Sequence, residues 1–375
     1  MKGIFRIPAA AKKGTLRCAH LFIGYFSLVI FHNEPIHSFL MKRISRLVPL
    51  LGAAALSATI ASACSPQSEA APTDQEVSSA LVNDVVLPSY KTLVGATEKL
   101  NKALEKLVDD PTSANLDAAR AEWKAARKTW ERTETWAYGP AETDDFDPNL
   151  DDWPVSTKEL AEALSEKDFT ADKFDDLDTT GRGFHGIEYV LFGGGDKPVE
   201  AADLTTQQLA YLKVAGADLE KNAKGLLAAW SGPEGFGKAD VEADPAKTVN
   251  DILEGMSGCL DEVANGKLGG ALEAGKGELE STFSGNTGAD VVSNLTGVQV
   301  AWEKSRLQAL AQDKDSELAN QLTEELNSAI SKAKALPARL NDKLDDQATR
   351  EQVKELMAAI MQVVDTTGAL QGKLE

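Results

Sequence analysis

Apolar residues recur along this chain at helical rather than strand spacing. Val77, Leu81 and Val85, then Leu93, Leu100, Leu104 and Leu107, mark one side of a first long helix, with Pro88 expected to kink it. Asp110-Pro111-Thr112 interrupts the pattern, a second helix is expected over 116–137, and Gly139-Pro140 stops it. An acidic loop over 142–152 follows, then a helix opening near Pro154, a residue suited to a first helical turn. Helical spacing returns over 204–230, and the Gly/Pro-rich stretch 231–245 reads as a linker. Beyond it, 249–263 and 272–279 are less regular. The last third is clear: Leu318, Leu322, Leu326, Ala329, Ala333 and Leu336 share one face, and Val353, Leu356, Met357, Ile360 and Val364 share another. Thr349 and Gln352 match a capping box for that last helix. No strand-like alternation of useful length occurs. The expectation is an all-α protein of two antiparallel helical bundles, 76–235 and 246–375, with a cleft between them.

Composition supports helices, since 43% of the 375 residues are hydrophobic but only 6% aromatic. The charge is uneven. The chain as a whole carries −19, but residues 1–63 hold eight Lys or Arg and one acid, leaving 31 basic against 57 acidic groups beyond them. That remainder, at −26, would repel nucleic acid, and no basic patch offsets it. From Met41 the chain reads as a secretory signal peptide: basic residues, an apolar run from Leu47 to Ile60, then small residues up to Cys64. The run is too short to remain as a membrane span. Ala61-Ser62-Ala63-Cys64 resembles a bacterial lipobox, so 41–63 is expected to be removed, Cys64 lipidated, and 64–75 left as a polar tether. Residues 1–40 read as an upstream extension. The expected location is therefore the periplasm or cell envelope, with lipid anchorage to the membrane. Of the three cysteines, Cys18, Cys64 and Cys259, only Cys259 remains for the folded part, so no intrachain disulfide is expected.

Histidine usage narrows the chemistry. His20, His32 and His37 precede the signal, and His185 is the single imidazole beyond it. Sites that need two histidines from one chain, including HExxH zinc proteases, are excluded. His185 lies in GRGFHGIEYVLFGGG. On a helix it shares a face with Glu188 at i, i+3. A hydrogen-bonded His–Glu pair and a ligand pair both fit that spacing. Gly183 and Gly186 weaken such a helix but allow close approach of backbone or ligand. On the second helix Trp123, Arg127, Trp130 and Glu134 follow i, i+4, i+7, i+11, with Glu131 beside them. The tryptophans draw Arg127 and the carboxylates inward, where they need an ion-pair partner or a metal. In FSGNTGADVVSNLTGVQVAW, Asp290 shares a face with Asn294 and Gly297, while Thr287 and Asp290 also match a capping box.

Four segments together, WKAARKTWERTETWAYGP, DDWPVS, GFHGIEYVLFG and FSGNTGADVVSNLTGV, resemble the imelysin family. The resemblance implies two helical bundles with the site in the cleft between them. That family includes periplasmic components of ferrous iron uptake and iron-regulated lipoproteins, and it has also been classed with metallopeptidases. Two readings follow. In one, an exported lipoprotein taking part in iron acquisition binds a metal through His185 and Glu188 of the Gly183-x-His185-x-x-Glu188 motif. Carboxylates from Glu131, Glu134 or Asp290 complete the site, and Arg127 orients one of them. One imidazole among several oxygens suits iron, manganese or calcium better than zinc, and iron is the expected ion. The partners would be the metal or an iron-containing ligand and an inner- or outer-membrane iron transport component. In the other reading the same site is a metallopeptidase, with the metal activating water and Glu131 or Glu134 as base.

Overall fold

The computed structural model describes residues 70–194 and 199–374. The upstream extension, the signal peptide, Cys64 and the first half of the tether, 64–69, lie outside the described residues. Among those described there are helices and no strands. Among the described residues no helix is long and apolar enough to cross a membrane.

Helix α1 (Asp74–Ala80) opens with Thr73, whose side chain accepts from the Glu76 N–H while the Glu76 carboxylate accepts from the Thr73 N–H. A π-helical turn, Leu81–Val86, joins it to α2 (Leu87–Asp109), where Pro88 occupies the first turn. The departure from regular winding expected at Pro88 thus lies one turn earlier. The three-residue link after α2 leads into α3 (Ser113–Glu131). Helix α3 ends earlier than expected, and a 3-10 turn at Glu134–Trp136 carries the chain onward. The acidic stretch contains two short helices, α4 (Pro140–Thr143) and α5 (Phe146–Asp151). Pro154 follows a cis peptide and lies ahead of α6 (Thr157–Ser165), so it does not open a helix as expected. After α7 (Ala171–Asp175) and α8 (Gly183–Phe192) comes α9 (Thr206–Trp230), capped by Thr205 and Gln208. Helix α9 packs on α2, and α3 and α8 complete this half.

The expected linker carries a short π-helical turn, and its Phe236 stacks edge-on against Trp230 at 4.9 Å. Asp244 then caps α10 (Pro245–Asp261), which runs into an eight-residue π-helical segment, Glu262–Gly269, and α11 (Gly270–Ala274). The second half is completed by α12 (Thr287–Lys304), α13 (Leu307–Lys314), α14 (Ser316–Lys334) and α15 (Gln347–Leu374). Helices α14 and α15 pair with each other, α10 lies along α15, and α12 along α14. Two capping expectations are corrected. Helix α15 begins two residues before Thr349, which is buried within it. Thr287 is the first residue of α12 and uses its hydroxyl to accept from the Ser281 N–H at 3.1 Å.

One continuous apolar core serves both halves. Helix α1 packs against α10, and α12 packs against α3. The second contact brings backbones very close: a Cβ added at Gly297 would stand 2.3 Å from the Arg132 carbonyl oxygen. That contact presses α12 onto the chain just after α3, where two of the acidic side chains singled out in the sequence lie. Trp123, Trp130, Trp136, Trp230 and Trp302 are all fully buried.

Candidate metal centre

The site grows from the C-terminal end of α3. Trp123 and Trp130 face the core, and on the same side Arg127 and Glu131 have no exposed surface. The guanidinium ion-pairs with Glu131 one turn on, with Asp151 at the end of α5, and with Glu280 at 2.9 Å. The Trp130 indole N–H donates to the other Asp151 oxygen at 2.6 Å. Asp151 is thereby fixed through both its oxygens.

Helix α8 brings the imidazole. Gly183, its first residue, has φ +59°, and an added Cβ would lie 2.3 Å from the Leu150 carbonyl oxygen. Only glycine lets α8 start directly against α5, and that seats His185 beside Asp151. His185 Nδ1 lies 3.3 Å from Glu188 Oε2, and the Glu188 Oε1 atom accepts from Ser284 N–H at 2.8 Å and Ser284 O–H at 2.7 Å. An acceptor at Nδ1 favours the tautomer that carries the proton there. Nε2 is then left with its lone pair facing the interior. It lies 3.2 Å from Asp151 Oδ1 but makes no hydrogen bond.

The second half supplies the remaining groups. Lys267 comes from the π-helical segment and is 1% exposed. Its ammonium donates to Glu134 Oε1 and Oε2 at 3.1 and 3.0 Å and to Glu131 Oε2 at 3.3 Å, and lies 2.9 Å from Glu280 Oε1. From α12, the Asn294 amide donates to Glu131 Oε2 at 2.8 Å and to Glu134 Oε2 at 2.6 Å. Asp290 accepts from Asn286 at 2.6 Å.

Two donor sets overlap here. Asp151, His185 and Glu280 form one; Glu131, Glu134, Asp151 and Glu280 form the other, each with donor atoms within 4.8 Å of one another. Oxygens about 2.0–2.6 Å from a common ion are separated by such distances. His185 Nε2 and Glu280 Oε2 are buried without a hydrogen-bond partner, whereas Glu131 Oε1 faces the Arg127 guanidinium. Glu131, Glu134, Asp151, Glu188, Glu280 and Asp290 bring six carboxylates against two fixed cations, Arg127 and Lys267. Such an excess of buried negative charge must be relieved by protons or by a further cation. Without the latter, burial and the neighbouring Glu131 push Glu134 well above the usual carboxylate range, and push Asp290 up to about 8. Burial would also raise Glu280, but Lys267 and Arg127 outweigh it and hold that carboxyl at about 2. The donor chemistry therefore fits a divalent cation held by one imidazole nitrogen and carboxylate oxygens.

A cavity of about 770 Å³ leads from this centre, with Glu134, Asp151 and Glu280 on its inner wall. Further out lie Glu142, Asp147, Asp152, Asp251, Glu254 and Glu262, against one lysine, Lys247. Burial, with help from Glu262, pushes Asp147 up to about 6.

The structure thus brings together Arg127, Glu131, Glu134, His185 and Glu188, with Gly183 as the packing point. Glu188 faces the imidazole and Ser284 and belongs to neither donor set. Asp290 lies against Asn286, likewise outside both. Three residues not singled out in the sequence join the centre: Asp151, Glu280 and Lys267. Asp151 is the first residue of the DDWPVS segment, and Glu280 lies three residues before FSGNTG. Lys267 has no such marker.

Comparison with known proteins agrees with this architecture. The imelysin family profile matches residues 86–366. Iron-regulated protein A of Synechococcus elongatus is 32% identical over 329 residues, covering 82% of this chain and 88% of that protein. A crystal structure from Parabacteroides distasonis, assigned as an iron-regulated protein A precursor, superposes with a TM-score of 0.74 at 22% identity, covering 82% of this chain and 97% of its own. An imelysin-like protein from Psychrobacter arcticum gives a TM-score of 0.65 at 18% identity, covering 80% and 95%. These two share the fold. With the profile spanning most of the folded residues, this chain belongs to the imelysin family.

Proposed function

We propose that this protein is an exported, lipid-anchored metal-binding protein of the cell envelope that captures iron for uptake. The observation that carries the reading is the orientation of His185. Its Nδ1 is engaged by Glu188, itself held by Ser284, so Nε2 is offered to a pocket of buried carboxylates that lacks enough cations. Asp151 and Glu280 are the oxygen donors nearest that nitrogen, with Glu131 and Glu134 beyond them. A hard or borderline divalent ion suits this set, and the name of the Synechococcus relative favours iron among such ions. The acidic cavity supports the same reading, since clustered carboxylates raise the local concentration of cations at its mouth. Cys64 supplies the anchor, and a membrane iron transport component is the partner expected to receive the ion.

Anaerobic titration of the mature chain with Fe(II), compared with His185→Ala and Asp151→Asn/Glu280→Gln, tests the site. Wild type should bind and both variants should lose most of the affinity; equal binding by all three would sink the assignment. Intact mass of the membrane fraction tests the acylation of Cys64.

A further inference from the structure

The second donor set, Glu131, Glu134, Asp151 and Glu280, has the form of a cation cage, and besides Arg127, which pairs with Glu131, Asp151 and Glu280 from α3, it holds a second cation from the other half of the chain. The Lys267 ammonium is within 3.3 Å of Glu131, Glu134 and Glu280, three of its four members. Asp151 and Glu280 also belong to the His185 set, so the two positions are neighbours that share two carboxylates. Carboxylates shared in this way bridge two metal ions when both positions are open. Here one position is filled from within the protein. Glu280 Oε2 is buried without a hydrogen-bond partner, so this carboxylate retains a donor atom although its other oxygen faces Lys267.

We propose that Lys267 is a tethered cation occupying the second position of a two-cation carboxylate cage, and that it restricts the protein to one metal ion beside His185. The ammonium takes the place of a divalent ion, and its charge keeps a second one away from the shared carboxylates. Capture and handover of a single ion is the consequence. Without Lys267, Glu131 and Glu134 would add two further carboxylates to a bridged pair, a far more retentive arrangement.

The inference rests on reading the centre as a metal site, and its test is the difference between proteins rather than the absolute count. Wild type and Lys267→Met are loaded with Mn(II), desalted, and measured for manganese per chain, with EPR spectra of each. Lys267→Met should hold one ion more than wild type, and its spectrum should show the broadening of two coupled Mn(II) ions. Lys267→Arg, which keeps a fixed cation, should match wild type. An equal count in Lys267→Met and wild type overturns the proposal. A wild type with no manganese beside a variant with one would uphold the role of Lys267 while removing the His185 site. Should Lys267→Met fail to fold, Lys267→Met/Glu134→Gln removes one charge of each sign. It leaves Glu131 and Glu280 at the vacated position, with Asp151 as the remaining member of the same donor set, and again one additional ion is expected, with no gain overturning the idea.

Discussion

Replacing Arg127 by Met is the sharpest test of how the buried charges are balanced. Arg127 has no exposed surface and pairs with Glu131, Asp151 and Glu280. Burial works against its charge, yet Glu131 and Glu280 outweigh that penalty and keep the guanidinium protonated. Met keeps much of the volume against Phe184, whose ring lies 5.5 Å from the guanidinium carbon, and removes the cation. Breaking a buried pair while its partner stays behind costs about 3–5 kcal/mol. With an unfolding entropy of ~2 cal/mol/K per residue over roughly 300 residues, that lowers the melting temperature by about 5–8 °C. The stranded carboxylates can take up protons, which caps the loss at low pH, so the deficit should be larger at pH 8 than at pH 6. A divalent ion should recover part of it, because it supplies the charge the variant lacks. Thermal melts of metal-free wild type and Arg127→Met, repeated with Mn(II), measure all three effects. A drop below about 1.5 °C (~1 kcal/mol), or one indifferent to pH and to metal, would refute the charge balance described above.

Ser284→Ala removes the hydroxyl that fixes Glu188, and isothermal titration should show metal affinity falling about 10-fold or more with the fold intact, as for other groups that orient a ligand histidine; unchanged affinity would separate Ser284 from the site. Gly183→Ala should cost about 1–3 kcal/mol in denaturant unfolding through a positive φ and a backbone clash, and should weaken metal binding as well, because α8 can no longer meet α5. Asp290 has its folded-state pKa raised from 3.8 to about 8, so the stability it contributes is full below pH ~4 and is lost as pH rises through ~8. The melting temperature of the metal-free protein should accordingly fall less steeply from pH 5 to pH 8 in Asp290→Asn than in wild type, and parallel slopes would contradict the shift.

Helices with a continuous 3.6-residue pattern were legible in the sequence, which is why α2, α3, α9, α14 and α15 were anticipated. So were the side chains that those faces carry inward: Arg127 and Glu131 follow from the spacing of Trp123 and Trp130, and the His185–Glu188 pair from i, i+3. What escaped the pattern lies where the winding changes or the elements are short. Asp151 ends a six-residue helix inside an acidic stretch whose exposed and buried carboxylates look alike in sequence. Glu280 belongs to a turn without periodicity. Lys267 sits on a π-helical segment, whose wider winding rotates its face relative to α10, so a regular helical projection does not bring it to Glu131 and Glu134. The two misplaced caps share one cause: Thr287 and Thr349 match the capping spacing, but tertiary contacts bury both, and each spends its hydroxyl or its position on the interior.

The ion pairs of the centre run in both directions between the halves of the chain. Arg127 belongs to α3 and reaches Glu280, whereas Lys267 belongs to the second half and reaches Glu131 and Glu134. A centre joined only through a metal would come apart whenever the ion left. Here the reciprocal pairs hold Glu280 against α3, and hold Glu131 and Glu134 against the π-helical segment, without any ion. For a metal at this centre the cost would be that two cations compete with it for the same oxygens, which would lower affinity but leave the donors assembled. His185 is the one donor of the two sets that neither cation pairs with, since both are engaged by carboxylates, which attract a cation more strongly than a neutral imidazole nitrogen does. On the proposed function, the imidazole would give an incoming ion a position of its own, and the carboxylates shared with Arg127 and Lys267 would set how firmly it stays.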